Sequence, residues 1–440
     1  MSVDPAAGRV VPVHVHRRQF VIGPEPLLAR RDWRTRDLGS GVHLSFCRTL
    51  PIEEEADGIL LGIALRPAPP RTSWAGRWAF VTPDHRLELD ASGLLGCFYR
   101  RSGGSLWVSS SPEILRMIDP QLPPASPPLD PEDWTRDWYP PPRSGIATVG
   151  RLLPSQVLDL RSGDLGLRPL VPELRERPVQ ATLDALAGLL VTLVTEAAAR
   201  YPDLWVSLSG GMDSRLVLAA THAAELPVTV YTNDKPGIIT KADRTLPPRL
   251  ARSLGLEHLM IEPQPSEARR VVLFDVHTSA HTFDTERRYV ARRHWDRIPP
   301  TALVLGGNTW EVGRCAHHAE FAATLPDGSS DTGIWLHEWI EWVKATPQPG
   351  LDWRDRYHIE QKLTGWLSSI EQAIDITGRR RVHVGNCTDV FCHLLSLPEE
   401  VRRSGSHQLE LIRRLAPELA RFPVNAPERI TSRVRLRLRR

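Results

Sequence analysis

Short apolar segments separated by turn residues dominate the chain up to about residue 170. Examples lie at 58–65, 77–81, 106–109 and 156–160, with clusters of Gly, Pro, Asp and Ser between them. Apolar runs of strand length that are bounded by turn residues are typical of β-hairpins. This part of the chain is therefore predicted to be β-rich, with a proline-rich loop over 120–142.

From about residue 178 the pattern changes to an alternation of helical and strand-like segments. Residues 182–200 are rich in Ala and Leu and carry apolar side chains at helical spacing, which predicts a helix. Apolar runs that fit strands follow at 204–208, 228–231, 259–261 and 302–305, and a helical pattern covers about 213–222. Alternating strands and helices predict a parallel sheet that is covered on both faces. The pattern over 335–419 is mostly helical.

Composition narrows the class of protein. The chain has 440 residues, a length that favours about two domains. Its formal net charge of +3 is too small to suggest a nucleic-acid partner. The five cysteines are odd in number and form no CxxC pair, which argues against a disulfide framework and a zinc site.

No segment has the character of a membrane anchor. No apolar run approaches the roughly 20 residues that span a bilayer, and residues 1–17 lack the apolar stretch of a secretory signal. A cytoplasmic protein that does not enter a membrane is expected.

A glycine-containing loop lies between the strand predicted at 204–208 and the following helix, and reads Ser209-Gly210-Gly211-Met212-Asp213-Ser214. Glycines let main-chain N–H groups approach a phosphate, and a helix N-terminus adds a positive dipole end and unpaired donors. The hydroxyls of Ser209 and Ser214 can donate to phosphate oxygens. Asp213 would be repelled by bare phosphate, so it is predicted to hold Mg²⁺, which bridges the oxygens. The alternative is an ordinary strand-to-helix turn.

This loop has the PP-loop signature of the N-type ATP pyrophosphatases. The chain resembles the asparagine synthetase branch of that superfamily, which includes β-lactam synthetase, carbapenam synthetase and the lasso-peptide cyclases. Weaker similarities support the resemblance over nearly the whole chain, at 76–80, 90–93, 98–99, 109–113, 153–160, 243, 250–258 and 396–402.

The resemblance implies an α/β fold in two parts. Residues 1–175 would form a β-rich domain like a class II amidotransferase. Residues 176–440 would form a PP-loop domain with a Rossmann-like parallel sheet, as in adenine nucleotide alpha hydrolases, and a helical C-terminal part.

The resemblance also implies a chemistry. ATP would adenylate a small-molecule or peptide carboxylate with release of pyrophosphate, and an amine would then displace AMP to form an amide, as in specialised metabolism. Leu208 and Thr232 would frame the adenine, and Leu305 and Gly306 would close the nucleotide pocket. Ligation of two molecules and internal cyclisation both fit, and the chain could form a homodimer.

The first departure from the family concerns the N-terminus. Glutamine-dependent members carry a catalytic Cys directly after the initiator Met, whereas this chain has Ser2 and no Cys before Cys47. A thiol is needed to attack the glutamine amide, so no glutaminase activity is expected.

The second departure is a loss of acidic residues from the loop after the 302–305 strand. Glu311 alone keeps a carboxylate there, and it could be a second Mg²⁺ ligand, a base for the amine, or a solvated surface residue. Arg314 could act as a clamp on phosphate or carboxylate.

The third departure is the missing late lysine of the amide-forming relatives. No lysine follows Lys362. Lys362 could be a cationic catalyst, although its spacing with Tyr357 and Trp366 also fits the packing face of a helix. Arg402, Arg403, Arg413 or the basic run 433–440 could replace the lysine instead. The histidines, His317 and His318 among them, are scattered and indicate no metal site.

Two further interpretations remain open. One is a degenerate ATP-binding scaffold without turnover, which the missing acids and lysine would favour. The other keeps the adenylation but modifies another substrate, such as a tRNA base; the weak basicity of the chain argues against it.

Overall fold

The computed structural model describes residues 18–27, 33–67, 69–102, 104–124, 138–172, 174–235, 239–265, 267–278, 293–328 and 336–425. The predictions that concern Ser2 and the basic run 433–440 lie outside these residues, as does most of the proline-rich loop.

The first part of the chain forms two six-stranded antiparallel sheets, with strand orders β10-β8-β9-β1-β3-β2 and β12-β11-β7-β6-β5-β4. The strands are β1 Phe20–Gly23, β2 Trp33–Gly39, β3 Val42–Cys47, β4 Ile52–Glu55, β5 Gly58–Leu65, β6 Ala75–Val81, β7 Arg86–Leu89, β8 Phe98–Ser102, β9 Ser105–Ser109, β10 Gly150–Arg151, β11 Gln156–Asp159 and β12 Leu165–Leu167. One helix, α1 Pro112–Ile118, follows β9. The predicted strands at 58–65, 77–81, 106–109 and 156–160 are confirmed.

The two sheets pack on each other around one apolar core. Phe20 and Leu44 from one sheet and Leu61, Val81 and Leu87 from the other belong to this cluster. Alternate residues of β5 and β6 point to the opposite face, where Leu60, Ala64, Trp78 and Phe80 form a second cluster. Strand β6 is buried at every position because both of its faces are covered.

The second part is an α/β unit around a five-stranded parallel sheet of order β15-β14-β13-β16-β17. Its elements are α2 Val179–Arg200, β13 Leu204–Ser207, α3 Met212–Ala223, β14 Thr229–Asn233, α4 Lys241–Ser253, β15 His258–Ile261, α5 Ala268–Thr278, β16 Leu303–Gly306 and β17 Arg380–His383. The predicted parallel sheet and its first four strands are confirmed.

The segment 335–419 is mostly helical, as predicted, but it contains one strand, β17, that the prediction lacks. This strand pairs in parallel with β16 and closes the edge of the sheet. It escaped the pattern analysis because it is only four residues long and begins with Arg380 and Arg381, and a short, charged strand is typical of a sheet edge.

Helices make up most of the remaining C-terminal part. They are α6 His337–Ala345, α7 Trp353–Tyr357, α8 Ser368–Thr377, α9 Thr388–Leu395, α10 Glu399–Ser404, α11 Ser406–Leu415 and α12 Pro417–Ala420. Helices α7 and α8 are continuous through a π-helical segment, His358–Leu367. A wide π-turn inside an α-helix is frequent at functional sites.

A buried polar seam joins the two parts. Arg77 on β6 donates to both carboxylate oxygens of Asp375 on α8, at 2.7 and 2.6 Å. Asn386 donates to Asp90 at 2.7 Å and to the carbonyl of Gly76 at 2.6 Å. Because these groups are buried, each side of the seam depends on the other for its hydrogen bonds.

One helix of the described residues, α2, is long and apolar enough to cross a membrane by length and composition. Its Leu183, Leu186, Leu190 and Leu193 are buried in the core of the α/β unit. A buried core helix passes the same test, so α2 is weak evidence for a membrane span.

Candidate active site

The predicted phosphate loop follows β13, the central strand of the parallel sheet, and leads into α3. From β13 the chain builds β14 and β15 outward on one side, then returns to place β16 and β17 on the other side. Ligands of open α/β sheets bind where the strand order reverses, at the carboxyl ends of the strands. The loop lies at this position.

Hydrogen bonds close the loop on itself. The main-chain N–H of Ser209 donates to Oγ of Ser214 at 2.9 Å, and the two serine hydroxyls are also 2.9 Å apart. The N–H of Gly210 donates to Oδ1 of Asp243 at 2.8 Å. The buried Arg215 donates to the carbonyls of Gly210 and Phe422 at 3.1 and 2.9 Å. The loop is thus held from two neighbouring segments.

The first turn of α3 is open to an anion. The N-cap residue, Gly211, provides no side-chain cap, and its own N–H donates to Oγ of Ser209 at 3.3 Å. The next three amides, of residues 212–214, have no partner four residues earlier in the helix and receive no cap from Gly211. Gly307 lies against this turn, because a Cβ built there would be 2.6 Å from the nitrogen and Cα of Ser214. Both the open amides and the close approach of a second glycine fit a polyphosphate ligand.

Four polar side chains meet beside the start of α3. Oδ2 of Asp213 accepts from Nη2 of Arg314 at 2.9 Å, and Oδ1 accepts from Nε2 of Gln408 at 3.2 Å. The same Nη2 lies 3.6 Å from Oε1 of Glu311. Asp213, Glu311 and Arg314 are predicted from the sequence, whereas Gln408, which lies on α11, is not.

This cluster has an unusual electrostatic balance. Burial, with the charge of Glu311 as the second cause, raises the pKa of Asp213 to about 7, although Arg314 opposes the shift. Two carboxylates that share one guanidinium cannot both ionise without cost. A divalent cation would relieve this repulsion more strongly than Arg314 alone.

The donor set fits Mg²⁺ as a partner of phosphate. Oε2 of Glu311 and Oε1 of Gln408 are buried without a hydrogen-bond partner among the described residues, and oxygen is the ligand type that Mg²⁺ prefers. Within the described part of the chain, no group of three or more His, Cys, Asp or Glu could hold a metal by itself. Mg²⁺ commonly binds through one or two carboxylates together with substrate phosphates, which is the arrangement that Asp213 and Glu311 allow.

A pair of histidines that sequence analysis passed over lies near Arg314. Nε2 of His317 is 3.1 Å from Nδ1 of His358, and Nδ1 of His317 is 3.1 Å from Oε2 of Glu320. Nε2 of His358 is buried and has no partner among the described residues. Burial first, and then the charges of His317, Lys362 and Arg314, hold the pKa of His358 well below its usual value.

Lys362 lies on the π-helical segment beside these histidines. Its Nζ is 4.6 Å from the ring centroid of Trp138 and 4.8 Å from that of Trp366. Tyr357, one helical turn before it, is buried in an apolar cluster. The packing interpretation therefore holds for Tyr357, whereas Lys362 is positioned by two aromatic faces.

The arginines considered as replacements for the late lysine are bound elsewhere. Arg402 is buried and donates to Asp355 at 2.6 Å. Arg403 pairs with Glu399, and Arg413 pairs with Glu410, both on exposed helix surfaces. None of the three contacts Asp213 or Glu311.

The residues expected around the adenine lie at or next to the carboxyl ends of β13, β14 and β16. The side chains of Leu208 and Leu305 are buried in the apolar core. The hydroxyl of Thr232 donates to the carbonyl of Leu208 at 2.7 Å. Gly306 faces His383, since a Cβ there would be 2.5 Å from the imidazole ring.

Comparisons with known proteins add little to this geometry. No protein-family model matches the chain, and no curated protein matches it. Among solved structures, the NMN synthetase from Francisella tularensis is 14% identical, and the alignment covers 57% of this chain and 100% of that chain with a TM-score of 0.23. A similarity at this TM-score supports no inference about fold or function, so the function must be argued from the site itself.

Proposed function

We propose that the chain is an ATP-dependent carbon–nitrogen ligase that activates a carboxylate as an acyl-adenylate and releases AMP and pyrophosphate. The observation that supports this most directly is the open first turn of α3 beside the cluster of Asp213, Glu311 and Arg314. A carboxylate is a poor electrophile, and attachment of AMP gives it a good leaving group. Positioning and charge stabilisation supply most of the rate in such reactions at phosphorus.

In this proposal each residue of the cluster acts on the phosphates. The amides of residues 212–214 in the first turn of α3 and the hydroxyls of Ser209 and Ser214 bind the β- and γ-phosphates. Asp213 and Glu311 would hold Mg²⁺, which when bound would supply positive charge to neutralise pyrophosphate. Arg314, once it is displaced from Asp213, clamps a phosphate or the substrate carboxylate.

His317 and His358 provide a base for the amine, in place of the role first considered for Glu311. Oε2 of Glu320 accepts a hydrogen bond from Nδ1–H of His317, which leaves Nε2 of His317 to accept one from Nδ1–H of His358. This order of donors leaves the lone pair of Nε2 of His358 without a partner among the described residues. Because its pKa is depressed, His358 is neutral at physiological pH and ready to accept a proton.

The first unit is proposed to be an amidotransferase-like domain without glutaminase activity, so the amine comes from ammonia or from a substrate. The carboxylate partner is a small molecule or a peptide. We place the boundary between the domains near residue 175.

A pyrophosphate-exchange assay with a panel of carboxylic acids tests the proposal. We expect ATP to yield AMP and pyrophosphate, and Asp213→Asn to suppress exchange by about 3–4 kcal/mol of transition-state stabilisation while the variant stays folded. ADP as the product would refute the mechanism.

The scaffold without turnover is the second candidate. It is favoured by the bonds of Asp213, whose two carboxylate oxygens are already occupied by Arg314 and Gln408. ATP binding that is indifferent to Mg²⁺, with no exchange across the panel, would support this candidate.

A further inference from the structure

A cavity lined by positively charged side chains lies on the seam between the two units. It has a volume of about 470 Å³ and is lined by Arg18, Arg48 and Thr49 of the first unit and by Tyr201, Pro300 and Arg380 of the second. Small-molecule sites commonly have volumes of about 300–1,000 Å³ and lie at domain interfaces. The cavity is large enough for a small organic ligand.

This cavity lies at the opposite end of the parallel sheet from the phosphate loop. Tyr201 precedes β13, Pro300 precedes β16, and Arg380 is the first residue of β17, so all three mark amino ends of strands. The phosphate loop follows the carboxyl end of β13. A four-residue strand separates the two ends by about 13 Å, which makes the cavity distinct from the candidate active site.

Among the described residues, the lining carries three guanidinium groups and no carboxylate. The nearest counter-charge, Asp375, already accepts two hydrogen bonds from Arg77 at 2.7 and 2.6 Å, and Arg18 reaches it only at 3.2 Å. Two buried cations therefore share one carboxylate. Burial, together with the charges of Arg77 and Arg380, lowers the pKa of Arg18 in spite of Asp375. The seam has an excess of positive charge on the cavity side.

The three arginines retain donors for a ligand. Arg48 forms no hydrogen bond or ion pair with any described residue. Among the described residues, Arg380 donates hydrogen bonds only through Nη1, at 3.0 Å to the carbonyl of Pro300 and 3.4 Å to that of Thr301. Its guanidinium carbon lies 6.0 Å from the ring centroid of Tyr201. Only Nη1 of the Arg18 guanidinium contacts a described residue. Planar guanidinium groups match phosphate and carboxylate oxygens.

We propose that this cavity is a binding site for a small organic anion with at least two phosphate or carboxylate groups. More than one anionic group is required because three cations face the cavity and Asp375, the carboxylate that Arg18 contacts, is shared with Arg77. Bound there, the anion would bridge Arg18 and Arg48 of one unit to Arg380 of the other and so hold the seam closed. This inference does not depend on the ligase activity.

Titration calorimetry on the full chain at low salt, with citrate and with inorganic pyrophosphate as probes and with the phosphate loop first saturated by Mg²⁺ and ATP, tests the site. We expect at least one probe to bind under these conditions. Arg48→Gln and Arg380→Gln should each weaken it about 10- to 100-fold, the range for loss of a hydrogen bond to a charged group. Arg36→Gln is the matched control, because Arg36 is an exposed arginine of the first unit that pairs with Glu54 away from the cavity.

The two probes separate the sources of the ligand. Stronger binding of pyrophosphate assigns the site to phosphorylated metabolites, and stronger binding of citrate assigns it to polycarboxylates. Binding of neither probe, or binding that Arg48→Gln and Arg380→Gln weaken no more than Arg36→Gln does, would overturn the proposal.

Discussion

Replacing Asp213 by asparagine should stabilise the folded protein at alkaline pH, although it removes a residue proposed to be essential for catalysis. Burial and the neighbouring Glu311 raise the pKa of Asp213 from an ordinary value of 3.8 to about 7. Between pH 3.8 and about pH 7 the folded state binds more protons than the unfolded state. The free energy of unfolding therefore falls as the pH rises through this window. Asparagine carries no titrating group and removes this dependence.

The size of the effect follows from the pKa difference. At about 1.36 kcal/mol for each pKa unit, raising the pH from 5 to 8 should destabilise the native chain by roughly 2.5 kcal/mol relative to Asp213→Asn. Urea denaturation of both proteins at several pH values measures this difference.

Asp57→Asn, on an exposed turn, is the matched control and should show no such trend. Parallel stability curves for Asp213→Asn and the native chain would refute the reasoning, because they would mean that Arg314 keeps Asp213 ionised in the folded state. In that case the cluster would be a structural ion pair, and the scaffold interpretation would gain support.

Four other predictions address the reaction and its loop. Glu311→Gln should lower turnover on the order of 10²–10⁴-fold with the fold intact, and near-normal turnover would show that Glu311 takes no part in the reaction. His358→Gln should lower amide formation by a similar factor while pyrophosphate exchange persists; loss of both would indicate a structural role. Gly307→Ala should weaken ATP binding at least about tenfold, because the start of α3 must move to admit the Cβ, whereas Gly188→Ala, which has open space around it, should leave binding unchanged. Incubation with glutamine should release no glutamate, and release that a change at Ser2 abolishes would contradict the proposed loss of glutaminase activity.

Local patterns carried most of the fold prediction. Four of the twelve antiparallel strands, β5, β6, β9 and β11, and the first four strands of the parallel sheet follow from short apolar runs. Strands such as β2 and β4 are largely polar and are not predicted in this way. Strand β17 could not be found in this way. Arg380 and Arg381 are polar, and the strand is defined by its pairing with β16 rather than by its own composition.

The candidate site likewise contains residues that a local motif predicts and residues that only the tertiary fold brings together. Ser209, Asp213 and Ser214 were predicted because one short motif brings them together. Gln408 lies 195 residues from Asp213, and His358 lies 41 residues from His317, so no spacing rule links them. Lys362 is a candidate because it is the last lysine in the sequence, whereas its position between two tryptophan rings depends on the tertiary fold.

The buried seam constrains when each part of the protein can fold during synthesis. Arg77 emerges from the ribosome 298 residues before Asp375, and Asp90 emerges 296 residues before Asn386. Until α8 and the segment after β17 have been synthesised, the face of β6 that they cover is bare, and Arg77 lacks the counter-charge of Asp375. A fragment that ends near residue 175 would expose this face to water and to other nascent chains. Completion of the first unit is therefore a late event in the life of the polypeptide, and the two halves mature together.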